Sequence, residues 1–117
     1  MILGIGVDVC EVSRWQAALA RHPGLARRVL SAQEAGRPAQ SQAARFAAKE
    51  ALHKALGGPR GLSWADAEVT VGQTGAPSFA LRGRVAEVAR ERGIAAVHLS
   101  LSHDAGLAVA LVVCEGR

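Results

Sequence analysis

The chain has 117 residues, of which 50% are hydrophobic, 21% charged and only 3% aromatic. This length predicts one domain, residues 1–117, with a modest aliphatic core, and the composition excludes a disordered or a membrane-spanning chain. Residues 1–60 carry nine Lys or Arg against four Asp or Glu, whereas residues 61–117 carry five against six. The basic first half indicates either an anionic partner (a nucleic acid, a phosphorylated small molecule or an acidic protein) or a solvated arginine-rich surface.

The first predicted element is a strand, MILGIGVDV, because large apolar residues at positions 3, 5, 7 and 9 alternate with Gly4, Gly6 and Asp8. We expect the apolar set to face the core. Glycine inside a strand often marks the close approach of a ligand or of another backbone, which makes Asp8 the first candidate site residue. Cys10 continues the apolar run and is expected to be a buried thiol. The start of the chain lacks the basic leader of a signal peptide, so we expect a cytoplasmic protein.

The rest of the chain alternates between helical and strand patterns. The pattern predicts, in order, a helix from a capping box at Ser13 to Arg21, a helical segment LARRVL, a second cap at Ser31, a long helix over 41–56 stopped by Gly57, strands AEVTVG and PSFALRG, a helix RVAEVARERG, and a hairpin turning at 104–106. This order predicts an α+β fold with a mainly antiparallel sheet packed against a long helix.

The segment RFAAKEALHKALGG, residues 45–58, contains both lysines of the chain, while the other basic residues are arginines. Glu50 and Lys54 lie one helical turn apart, and as an exposed pair they would contribute only a few tenths of a kcal/mol (about 0.2–0.5). Asp8 and Glu50 could instead share a divalent cation. A small number of protein oxygen ligands is typical of Mg²⁺, whose coordination is usually completed by substrate phosphates. Lysine then supplies a compact cation for phosphate. His53 in the same segment could touch a ligand, but we expect it to pack at a contact between subunits.

Six segments together resemble one family of enzymes. They are GVDVCEVSR (6–14), LSAQE (30–34), RFAAKEALHKALG (45–57), GLSWADAEV (61–69), GAPSFALRG (75–83) and VHLSLSHDAGLAVALVV (97–113). Their order and spacing resemble the small bacterial 4′-phosphopantetheinyl transferases, the holo-acyl-carrier-protein synthases. The likeness extends over most of the chain, and the combination of GVD with KEALHK at this spacing is specific.

The resemblance implies the 4′-phosphopantetheinyl transferase fold and its reaction. That reaction is Mg²⁺-dependent transfer of phosphopantetheine from coenzyme A to a serine of apo-acyl carrier protein, with release of adenosine 3′,5′-bisphosphate. The general base is either Glu50 or a metal-bound water. By position, the resemblance implies Asp8 and Glu50 as metal ligands, Asp8, Glu50 and Lys54 as catalytic residues, Lys54, Lys49 and Arg45 as phosphate contacts, and His103 as a contact near the 3′-phosphate.

The resemblance also implies partners. The family's acidic carrier protein docks on a basic N-terminal helix, and its members of this size are homotrimers with sites between subunits that serve fatty-acid biosynthesis, with no membrane or nucleic-acid partner. The segment between Glu34 and Arg45 is short for the family, which predicts a truncated second helix and a more open site. The expected docking residues here are Arg14, Arg21, Arg27 and Arg28.

Two other functions are compatible with parts of the sequence. One is a catalytically silent module that binds coenzyme A or a carrier protein, although Asp8, Glu50 and Lys54 are all present. The other is a small basic nucleic-acid-binding domain, which a pI near 10.0 allows. The basic residues do not alternate with aromatic residues, so stacking on bases would be poor. Whether a fatty-acid or a polyketide carrier is served stays open.

Overall fold

The computed structural model describes residues 1–117 as one α+β unit. Its elements in chain order are β1 (Ile2–Glu11), α1 (Val12–Arg21), α2 (Leu25–Val29), α3 (Ala32–Ala35), α4 (Ala39–Ala55), a 3₁₀ turn (Trp64–Asp66), β2 (Ala67–Val71), β3 (Pro77–Leu81), α5 (Gly83–Glu91), β4 (Ile94–Asp104) and β5 (Leu107–Gly116). None of the helices is both long and apolar enough to cross a membrane.

Two antiparallel sheets form the β part. The larger has the strand order β1-β5-β4, and the smaller is the β2-β3 hairpin. Strands β4 and β5 are joined by Ala105 and Gly106, whose φ angles of 51° and 77° suit a two-residue hairpin turn. The predicted order of elements, the antiparallel pairing and the long helix are all confirmed.

The long helix α4 lies across the larger sheet and contacts β1 and β5. Its sheet-facing positions are mostly alanines that are fully or almost fully buried, such as Ala47, Ala51 and Ala55. On the strand side, a Cβ at Gly4 or Gly6 would overlap the backbone carbonyls of Ala55 and Ala51. The glycines of β1 therefore mark the close approach of another backbone, one of the two alternatives that the sequence left open.

This packing reverses the predicted orientation of β1. The apolar residues Leu3, Ile5, Val7 and Val9 are 44%, 64%, 53% and 55% exposed, whereas the side of Gly6 and Cys10 is buried against α4. The expectation that the apolar set faces the core of this chain is therefore wrong. A two-residue period defines two faces of a strand, but only the alanine surface of α4 determines which face packs inward.

Helix boundaries differ from the sequence pattern at two N-termini. Helix α1 begins at Val12 after Glu11, and Ser13 donates to the Glu11 carboxylate instead of capping the helix. Helix α4 begins at Ala39, two residues earlier than predicted. The predicted cap at Ser31 is confirmed as a complete capping box with Glu34 at the start of α3.

Candidate active site

Strand β1 and helix α4 bring Asp8 and Lys54 together, although 46 positions separate them in the chain. The Lys54 ammonium nitrogen lies 3.1 Å from the Asp8 carboxylate and 2.9 Å from the Val7 carbonyl oxygen. The Lys54 side chain is 55% exposed and that of Asp8 is 22% exposed. An ammonium group has three donors, so one N–H of Lys54 remains free for a further acceptor.

Glu50 lies one helical turn before Lys54 and is half-buried. It takes part in none of the six ion pairs of the chain, so no cationic side chain neutralises its carboxylate. Burial raises the pKa of the Cys10 thiol, and the negative charges of Asp8 and Glu50 raise it further. Lys54 contacts Asp8, and Glu50 lies one helical turn before Lys54 on the helix that packs on β1, so both carboxylates belong to the same contact between α4 and β1. This placement is consistent with a cation shared between them.

Lys49 lies elsewhere, in a buried ion pair. Its Nζ is 2.7 Å from Glu34 and 2.8 Å from the Trp64 carbonyl, and both charged side chains are only 1% exposed. Glu34 also accepts hydrogen bonds from the backbone N–H groups of Ser31 and Val69. Burial lowers the pKa of Lys49, while the hydrogen bond to Glu34 opposes that shift. The structure does not support the expected phosphate contact at Lys49, because the ammonium group is enclosed and already paired.

A second polar cluster forms at the first turns of α4. The Gln40 side chain lies 2.8 Å from His103 Nδ1, and Arg45 donates through Nη1 to Ser41, while its buried Nε has no partner. Burial lowers the pKa of Arg45, and the positive charge of Arg37, in the turn before α4, lowers it further.

An accumulation of cations with an unused donor is a suitable environment for an anion. Sequence reasoning missed Arg37, because a single arginine beside a proline in a turn carries no distinctive spacing.

The Asp8 and His103 clusters lie on opposite edge strands of the sheet. Asp8 pairs with Ala110 on the central strand β5, whereas His103 pairs with Ala108 from the other side. With strands about 4.8 Å apart and a rise of about 3.3 Å per residue, their Cα atoms are about 12 Å apart. The two clusters therefore do not form one compact site within a single chain.

The four arginines expected to dock a partner are all exposed. Two lie on α1 (Arg14 and Arg21) and two on α2 (Arg27 and Arg28). Arg14 and Arg21 border an open groove of about 480 Å³ whose other lining residues include Trp15, Leu25 and Phe46. Trp15 and Phe46 stack with their ring centroids 5.1 Å apart. Residues 12–33 contain no Asp or Glu. Glu11 is the one acidic side chain that lines the groove, so this surface is predominantly positive around an apolar groove. It adjoins the candidate site, because Cys10 lines the same groove.

Comparison with known proteins decides the family. A profile described as the 4′-phosphopantetheinyl transferase superfamily matches residues 4–112. The holo-acyl-carrier-protein synthase of Cutibacterium acnes is 65% identical over 117 residues, which cover 99% of this chain and 100% of that protein. The chain belongs to the 4′-phosphopantetheinyl transferase superfamily, as a holo-acyl-carrier-protein synthase.

Solved structures show the same fold. The crystal structure of the holo-acyl-carrier-protein synthase of Neisseria meningitidis is similar with a TM-score of 0.89 and 35% identity, covering 98% of this chain and 99% of that one. The Helicobacter pylori synthase in complex with coenzyme A is similar with a TM-score of 0.82 and 32% identity, covering 95% and 99%. The predicted family, fold and enzyme class are therefore confirmed.

Proposed function

We propose that this transferase moves the 4′-phosphopantetheine group of coenzyme A to a serine of an apo-acyl carrier protein and releases adenosine 3′,5′-bisphosphate. The contact between Asp8 and Lys54, with Glu50 one turn away, is the single observation that carries the proposal. The names of the relatives and the coenzyme A bound to the Helicobacter pylori synthase support the substrate assignment. As the family resemblance implies, the proposed carrier is a cytoplasmic one, and the carriers of fatty-acid and of polyketide synthesis are both candidates.

Asp8 and Glu50 would hold a Mg²⁺ ion for which the protein supplies only part of the ligands. Both are oxygen donors at the contact between α4 and β1, since Lys54, one helical turn after Glu50, contacts Asp8. No group of three or more His, Cys, Asp or Glu residues forms a fuller set of ligands. Two carboxylates suit Mg²⁺, which retains waters and is completed by phosphate oxygens of the substrate. When bound, such an ion neutralises negative charge on the diphosphate as its bridging bond breaks.

Lys54 and Glu50 have separate roles in the proposed transfer. The free N–H of Lys54 points a positive charge at the diphosphate while Asp8 and the Val7 carbonyl hold the ammonium group in place. The carrier serine attacks the phosphorus that bears the pantetheine arm, and the bond to the departing nucleotide phosphate breaks. The serine proton passes to the Glu50 oxygen that would not hold the metal, and no cationic side chain competes for this oxygen because Glu50 forms no ion pair.

The cations at the start of α4 are proposed to bind the 3′-phosphate of coenzyme A. Arg45 brings an unused buried N–H, Arg37 adds a second positive charge nearby, and Gln40 fixes the ring orientation of His103. Because this cluster is about 12 Å from Asp8 across the sheet, we propose that one coenzyme A contacts Asp8 of one subunit and His103 of another.

An uncovered apolar sheet face supports such an assembly. Ile5, Val7 and Val9 on β1 are more than half exposed, and Leu107 and Leu111 on β5 are 40% and 41% exposed on the same side. Soluble monomers rarely expose so continuous an apolar surface, which therefore indicates a protein interface. We propose that the interface joins three copies of the chain, as the family resemblance implies, and places active sites between subunits.

The positive surface of α1 and α2 is proposed to bind the acidic carrier protein. Arg14 and Arg21 would pair with carboxylates of the carrier, while the groove between them receives an apolar side chain. Because the groove adjoins β1 near Cys10, a carrier docked here could present its serine to Glu50. Arg27 and Arg28 are exposed further along the same positive surface and extend it.

The intact mass of an apo-acyl carrier protein tests this function directly. We expect incubation with the enzyme, coenzyme A and Mg²⁺ to add one phosphopantetheine group, and EDTA to prevent the addition. Asp8→Ala and Glu50→Ala should abolish the mass gain and leave the circular dichroism spectrum unchanged. Full transfer by Glu50→Ala would refute the assigned role of this carboxylate. Coenzyme A binding without any mass gain would instead favour a silent binding module.

A further inference from the structure

The loop of residues 57–63, which follows α4, has little structure of its own. Gly57, Gly58 and Gly61 all have positive φ, between 73° and 83°. The N–H groups of Gly57 and Gly58 bond to the last turn of α4, but residues 59–62 form no main-chain hydrogen bond. Glycine-rich segments without such bonds open easily, so another contact must determine where this loop lies.

Leu62, near the end of the loop, packs against the core, and the side chain of His53 provides the contact to the middle of the loop. Its Nε2 lies 2.9 Å from the Pro59 carbonyl oxygen, in the middle of the loop. A carbonyl oxygen only accepts, so Nε2 carries the hydrogen and donates it. The ring also packs edge-on against Trp64, with centroids 5.3 Å apart and an interplanar angle of 80°. His53 is thus packed against residues of its own chain, and it joins α4 to both the middle and the far end of the loop.

The loop held in this way begins at the wall of a groove next to Lys54. The groove has a volume of about 510 Å³ and is lined by Lys54, Leu56, Gly57 and Arg92, among others, but not by His53. A Cβ at Gly57 would lie 2.9 Å from the Arg92 guanidinium, so that second cation lies directly over the loop's first residue. Movement of the loop would change the groove wall at Gly57 and the support of the Arg92 guanidinium that lies over it.

We propose that His53 is a positioning residue that holds the loop 57–63 against α4 and thereby fixes the groove beside Lys54 for the phosphate-bearing substrate. The inference rests on the proposed function. Because His53 does not line the groove, it acts through the loop rather than on the substrate. Its removal should therefore weaken the binding of coenzyme A more than it slows the transfer step.

Steady-state kinetics of His53→Ala and His53→Gln test the positioning role. A glutamine retains an N–H donor that can reach the Pro59 carbonyl, whereas alanine retains neither the donor nor the ring. For alanine we expect the KM for coenzyme A to rise about 5- to 10-fold, the worth of one hydrogen bond, with kcat within about twofold. Glutamine should return the KM to within about twofold of the original value. An equal loss of kcat in both variants would overturn the proposal.

Limited trypsin digestion reads the loop independently of catalysis, because exposed Arg60 lies inside it. Mass spectrometry of the native protein should show faster cleavage after Arg60 in His53→Ala than in the original chain or in His53→Gln. Equal cleavage rates would refute the restraint of the loop by His53, and faster cleavage with an unchanged KM would refute the positioning role. If alanine prevents folding, His53→Phe keeps the packing on Trp64, removes the hydrogen bond and is judged by the same outcomes. A wild-type chain without transfer activity would overturn the proposed function. The digestion would still show whether His53 holds the loop 57–63 against α4.

Discussion

Replacing each lysine of the chain by methionine is expected to have different effects: the Lys49 variant loses stability, whereas the Lys54 variant loses activity. Lys49 and Glu34 are both 1% exposed, so Lys49→Met leaves a buried carboxylate without its counter-ion. Breaking a buried ion pair on one side costs about 3–5 kcal/mol of unfolding free energy. An unfolding entropy of about 2.1 cal/mol/K per residue then predicts a fall in Tm of about 12–20 °C.

The hydrogen bonds around this pair set how much a second substitution can restore. Replacing Glu34 by leucine as well removes the stranded charge, and a hydrophobic pair of similar volume is often nearly neutral. Here the N–H groups of Ser31 and Val69 and the carbonyl of Trp64 would remain without their partners. We therefore expect the double variant Glu34→Leu, Lys49→Met to recover only part of the lost Tm.

Lys54→Met is the matched control, because it makes the same change five residues along the same helix. Lys54 is 55% exposed, and its surface pair with Asp8 contributes at most about 1 kcal/mol, so Tm should change by no more than about 4 °C. Phosphopantetheine transfer should fall by about 100-fold or more, since a donor directed at the diphosphate is lost.

Thermal unfolding at one protein concentration and the mass assay below the Tm measure both effects. An unchanged Tm with a raised KM for coenzyme A in Lys49→Met would refute the assignment of Lys49 to the core and restore it as a phosphate contact.

Three further predictions concern the packing, the interface and the acid stability of the fold. Gly6→Ala places a Cβ against the Ala51 carbonyl and should lower the free energy of unfolding by about 1–3 kcal/mol or more, whereas Gly24→Ala, with open space around it, should not; chemical denaturation compares the two. Leu111→Arg puts a charge on the uncovered sheet face and should dissociate the proposed trimer in analytical ultracentrifugation. A trimeric variant would exclude this face as the interface. A hydrogen bond from Ser31 and the charge of Arg82 lower the pKa of Glu68. Its contribution to stability is therefore present above about pH 4.3, the pKa of an unfolded-state glutamate, and is lost as the pH falls through the lower pKa of the folded state. Glu68→Gln should flatten that part of a plot of unfolding free energy against pH.

Local sequence signals predicted the elements well but not the inward face of β1. Turn residues at 104–106 and the alternation around them define the β4-β5 hairpin without reference to the rest of the chain. Strand β1 has bulky residues on one face and glycines on the other, and the usual rule sends the bulky face inward. The rule fails because α4 approaches so closely that only glycine fits between the backbones, while the proposed partner subunits would cover the bulky face. Information about this second interface is not contained in the period of the strand.

The site itself shows the same limit on a helix. Adjacent residues differ by about 100° around the axis, so Lys49 with His53 and Glu50 with Lys54 form two neighbouring stripes on α4. Each stripe has one cation and one further polar group, and alanines surround both, so spacing cannot tell them apart. The structure separates them through distant residues: Glu34 and Trp64 enclose the first stripe, whereas Asp8 meets the second at the exposed edge of β1. Arginine would suit neither position well, because one cavity encloses a compact ammonium and the other site leaves a single donor free beside a carboxylate.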